Sequence, residues 1–152
     1  MTGLGRPGYS MIMIWLFLII ASTQTVDLGP PTKVQSAVSV RTAPGTKAPK
    51  NLKSTLKYCS QITGVSMPWK APLEIRVVQA SWLNKNFKTP TGTQRKGRYY
   101  PAKKGHPALI YIASGRDLNI SLAHEWLHHL AAVHGKGWSE SWIESTAKHC
   151  AQ

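Results

Sequence analysis

The chain has 152 residues, room for one small domain with extensions, and 42% hydrophobic residues, enough for a modest core. Nineteen Lys and Arg against six Asp and Glu give a formal net charge of +13. Two widely spaced cysteines and no C-x-x-C argue against a structural zinc site built from cysteines.

In chain order, Arg6 precedes an uninterrupted apolar run over residues 11–21, followed by small polar residues. The run is shorter than the roughly 20 residues a membrane-spanning helix needs. A basic flank, a short apolar core and small residues predict a secretory signal peptide over residues 1–23, and export to a secreted or periplasmic location in a bacterial envelope. No membrane span would persist after its cleavage. Export places Cys59 and Cys150 in an oxidising compartment, where two cysteines pair. Such a bridge would close a loop of about ninety residues and clip the C-terminal helix to the start of the folded domain.

Residues 24–50 are rich in Pro, Thr, Ser, Ala and Lys, with Pro30, Pro31, Pro44 and Pro49. This composition predicts a disordered basic linker, with the folded domain occupying residues 51–152. Leu52, Leu56, Cys59 and Ile62 recur at helical spacing, with Gly64 as the stop. Residues 73–80 are β-branched and partly alternating, and read as a strand. Residues 81–88 fit neither template. Residues 95–100 pair with residues 107–113 across a turn at 102–106, making a hairpin. Asp117 or Asn119 caps a long helix that Gly135 and Gly137 end. Ser139 caps a last helix over residues 141–149. The fold class is therefore α+β: a short, mostly antiparallel sheet, a buried central helix and a C-terminal helix.

The central helix carries His124-Glu125-Trp126-Leu127-His128, an H-E-x-x-H motif. Residues four apart lie on one helix face, so His124 and His128 can aim two imidazole nitrogens at one Zn²⁺. Glu125 beside them suits proton transfer to and from a metal-bound water, as a general base. Ile120, Leu122, Ala123, Trp126, Leu127, Leu130, Ala131 and Val133 cover most of the helix circumference, which predicts burial. His129 projects to another face and reads as structural.

With these residues the chain resembles the zincin metallopeptidases, whose active-site helix carries H-E-x-x-H beside a sheet with an exposed edge strand. The block over residues 115–128 is also similar to an uncharacterised family of bacterial secreted proteins encoded beside α2-macroglobulin-like genes. The zincin resemblance covers mainly residues 107–150 and implies a third zinc ligand, for which three residues compete. His134 would complete the metzincin pattern H-E-x-x-H-x-x-G-x-x-H, except that Ala131 stands where the pattern has Gly. If the helix continues to Gly135, His134 points well away from the pair. Gluzincins instead draw a Glu from a following helix. Glu144 fits that role best, while Glu140 sits one turn earlier, where the helix dipole alone would explain it.

The resemblance implies an exported zinc peptidase acting on peptide or protein substrates. Tyr99, Tyr100, Tyr111, His106 and His149 are candidates for stabilising the oxyanion. No acidic residue lies between Asp27 and Glu74 or between Glu74 and Asp117, and most of the Lys and Arg lie there. That field suits anionic envelope polymers rather than nucleic acid. Two other functions fit the same residues: a peptidoglycan-directed endopeptidase or amidase, and a basic envelope-binding module with a structural or vestigial zinc.

Overall fold

The computed structural model describes residues 26–87, 89, 91–92 and 96–152. The signal-peptide segment, residues 1–23, lies outside them. The elements in order are strands β1 (Thr32–Gln35) and β2 (Val38–Thr42), helix α1 (Leu52–Thr63), strand β3 (Leu73–Val78), helix α2 (Ala80–Asn86), strands β4 (Gly97–Tyr100) and β5 (Ala108–Ala113), and helices α3 (Leu118–His134) and α4 (Glu140–Cys150). The α+β class holds.

The five strands form one sheet in the order β1-β2-β3-β5-β4. It is mixed: β2 and β5 run parallel to β3, while β1 and β4 pair antiparallel at the two edges. Alternation puts one side chain in two on each face. Val38, Leu73 and Ala108 stand side by side across the three parallel strands, as do Val40, Ile75 and Ile110. These rows are buried under the helices, in a core with Leu52, Leu56, Leu122, Ala123, Trp126, Leu127, Leu130, Ile143 and Ala147. The opposite face carries a smaller cluster around Tyr111, on which Trp82 of α2 stacks at 5.6 Å between ring centroids.

The disordered linker expected over residues 24–50 is corrected by β1 and β2. Val38 and Val40 are buried, and β2 hydrogen-bonds in register with β3 from Val38↔Leu73 to Thr42↔Val77. The four prolines flank the two strands and interrupt neither. The strands are four and five residues long, too short to stand out from a polar composition, and the partner that holds β2 in the sheet lies more than thirty residues away. The ambiguous residues 81–88 fall largely in α2.

Helix ends follow the glycines. Gly64 closes α1 and Gly135 closes α3, both in the left-handed region, at φ 69° and 63°. Ser139 Oγ accepts from the Trp142 amide at 3.3 Å and caps α4. Asp117 occupies the cap position of α3 without making the cap bond; its carboxylate pairs with Lys96 instead, and Asn119 lies inside the helix. α3 is buried along Leu122, Ala123, Trp126, Leu127 and Leu130, whereas Ile120 and Val133 toward its ends are exposed, and Trp126 Nε1 donates to the Leu56 carbonyl at 3.1 Å, fixing α3 against α1. No helix among the described residues is long and apolar enough to cross a membrane.

Cys59 of α1 and Cys150 of α4 are joined in a buried disulfide, 91 residues apart in sequence. Loop-closure entropy puts a bridge of that span at about 4–5 kcal/mol. Reduction is therefore expected to lower the melting temperature by several degrees or more, read by circular dichroism with and without reductant. Titration of two free thiols in the native protein would contradict the bridge.

Candidate metal centre

His124 and His128 lie one turn apart on α3, and their Nε2 atoms stand 3.3 Å from each other. The carboxylate that reaches them is Glu140, the first residue of α4: Oε1 is 2.8 Å from His124 Nε2, and Oε2 is 3.2 Å from His128 Nε2. The left-handed Gly135 reverses the chain after α3, and Ser139 then starts α4 beside the histidine face. Glu140 thus combines a favourable place in a helix's first turn with contact to both imidazoles. The ligating atoms of the three residues all lie within 4.8 Å of one another.

Glu144, placed first by the sequence reading, lies one turn further along α4. It is exposed and faces Lys148 Nζ at 3.8 Å. His134 closes α3 and donates from Nε2 to the Ser66 carbonyl at 2.8 Å, tying the helix end to the segment after α1. The carboxylate joined to the histidine pair is therefore Glu140, in place of Glu144 or His134.

Two imidazole nitrogens and a carboxylate suit Zn²⁺. Bonds of about 2.0–2.1 Å in a tetrahedral arrangement put neighbouring ligand atoms about 3.3 Å apart. The His124–His128 and His128–Glu140 separations match that edge, and the His124–Glu140 separation is somewhat shorter. Burial holds the His128 imidazole below its usual pKa, with Glu140 opposing and His124 reinforcing that shift, so the ring favours the neutral form that a metal requires.

Glu125 is nearly buried, and its carboxylate packs against Gly97 of β4. Two cleft arms meet at this point. One, of about 460 Å³, is lined by Lys96, Ile120, Ser121, Glu144 and Lys148; the other, of about 330 Å³, by Arg98, Tyr99, His128 and Glu140. Gly97, His124 and Glu125 line both. A hollow of about 690 Å³ lined by Val26, Asp27, Trp82 and Lys85 shares no residue with either arm and contains no histidine.

Of the proposed oxyanion donors, only Tyr99 lines the cleft at the histidines. Its ring lies parallel to that of His128, and its hydroxyl is 3.3 Å from His129 Nδ1. Burial raises the Tyr99 pKa to about 12, so the phenol keeps its proton, and its hydroxyl shares a hydrogen bond with the His129 ring. Tyr100 and Tyr111 belong to the cluster on the other sheet face, His106 sits in the turn before β5, and His149 is exposed near the end of α4. His129 is a buried structural group packed against Trp126. The sequence reading missed Gly97; the one available signal was a glycine opening a strand that continues Arg98-Tyr99-Tyr100.

Comparison with protein-family models, curated proteins and solved structures gives no match.

Two predictions come from this geometry. Glu140→Ala should weaken zinc binding well over tenfold, whereas Glu144→Ala and His134→Ala should leave it nearly intact, as read by calorimetric titration at one pH. The second concerns His129, whose pKa burial lowers from 6.5 to about 4. The unfolded chain takes up this proton first, so the stabilisation is complete above pH 6.5 and is lost as pH falls toward 4, by on the order of 3 kcal/mol. Urea unfolding of metal-free protein at pH 7.5 and 4.5 should show this loss, and His129→Gln should reduce it.

Proposed function

We propose that this chain is an exported zinc-dependent metallopeptidase that cleaves peptide bonds with Glu125 as general base. The observation that carries this reading is the convergence of His124, His128 and Glu140 beside the Glu125 carboxylate, where two cleft arms meet. A structural metal site has no use for a base in that place. Export rests on the apolar run at residues 11–21 and accords with the Cys59–Cys150 bridge.

Zn²⁺, when held by these three side chains, supplies Lewis acidity toward a water and a carbonyl oxygen. The chain's own residues do the rest. Glu125 accepts a proton from the attacking water and delivers it to the amide nitrogen as the C–N bond breaks, so the carboxylate ends as it began. β4 is one of the sheet's two edge strands, and its side away from β5, unpaired among the described residues, offers backbone groups to an extended peptide laid along the cleft. Tyr99 lines the same cleft arm as His124, Glu125 and His128, and its hydroxyl would serve an oxyanion by turning from the His129 ring.

A second reading rests on the acid-free segment between Asp27 and Glu74, which puts Lys50, Lys53 and Lys57 on the surface around α1. That surface suits an anionic envelope polymer. It fits a peptidase directed at the peptides of the cell wall as well as a binding module without catalysis.

Glu125→Gln separates catalysis from binding. The variant should fold and take up one zinc per chain, while hydrolysis of an unstructured protein drops by about 10²-fold or more. Full turnover by the zinc-loaded variant would rule out this mechanism.

A further inference from the structure

Gly97 opens β4, and its backbone does not require glycine. Six glycines among the described residues take positive φ, and Gly97 is not one of them. A strand glycine gives up side-chain packing and costs more entropy to order than other residues. What Gly97 provides is space. A Cβ built there would stand 2.6 Å from Glu125 Oε1, 2.7 Å from Cγ and 3.0 Å from Cδ. At Gly64, Gly92, Gly105, Gly115, Gly135 and Gly137 a Cβ would meet nothing within 4 Å.

The crowded group is the carboxylate of the proposed base itself, and its room to yield lies in the two cleft arms. Glu125 is 8% exposed and springs from the middle of α3, whose neighbours Ala123, Trp126 and Leu127 are fully buried. A side chain at 97 would have to displace the carboxylate or push β4 away from α3.

The geometry points to Gly97 as the positioning residue for Glu125: the bare strand position that fixes the carboxylate at the junction of the two cleft arms. Its catalytic meaning rests on the peptidase reading; its steric meaning does not. With no side chain at 97, the floor between the arms is bare backbone. A substrate chain passing from the Lys96 side to the Tyr99 side would therefore meet Glu125 at that point.

The test is a double-variant cycle on the purified full chain. Without zinc, Gly97→Ala should lower the melting temperature by several degrees while Glu125 is present. In the Glu125→Ala background the same change should leave the melting temperature unchanged or raise it, because a clash-free Gly-to-Ala replacement stabilises a strand. Equal effects in both backgrounds would overturn the proposal. Should Gly97→Ala not fold, a folded Gly97→Ala/Glu125→Ala double variant supports the clash, and an unfolded one overturns it. With zinc, Gly97→Ala should bind the metal as tightly as the parent while kcat falls about 10²-fold, the scale of a reacting group misplaced by an ångström, and KM changes little. If the parent hydrolyses nothing, the peptidase reading fails, and the melting-temperature cycle still decides the role of Gly97.

Discussion

The burial of α3 is the constraint on which the rest of the molecule depends. An apolar helix circumference has no stable place in water, so α3 lies between the sheet and the other two long helices, with Leu122, Trp126, Leu127 and Leu130 fully enclosed. Every polar side chain on such a helix must find a partner or reach a cleft. His129 turns to Tyr99, Glu125 to the edge strand, and His124 and His128 to the one carboxylate that α4 brings over them. The candidate site is thus the place where a buried helix satisfies most of the polar groups it carries, with His129 Nε2 left buried and without a hydrogen-bond partner among the described residues.

That arrangement gives α4 two duties. Ile143 and Ala147 close the core, and Glu140 meets the histidines. The helix is fastened at its far end by Cys150, so its first turn is positioned by packing and by covalent attachment together. Glu140 itself is 66% exposed, a carboxylate kept in water on one side and held against two imidazoles on the other.

The sequence exposed those features whose signals are local. The helical spacing of Leu52, Leu56 and Cys59, the glycines that end α1 and α3, the Ser139 cap and the hairpin of β4 and β5 are each written within a few residues. What escaped depends on partners remote in the chain. β2 is a strand because β3 is there to pair with it, β1 adds to β2 in turn, and the prolines around them masked that potential. Glu140 and Glu144 differ by one helical turn, and the choice between them turns on how sharply the chain reverses between Gly135 and Ser139. Gly97 read only as one position of a hairpin strand, because its significance lies in a side chain 28 positions away.

The disulfide has a consequence beyond stability. Cys59 and Cys150 enclose β3, β4, β5, α2 and α3 within one covalent ring. A single main-chain cut anywhere inside that ring leaves the two pieces tethered, so the fold keeps both halves at high local concentration and no fragment diffuses away. The bridge thus makes a first nick survivable.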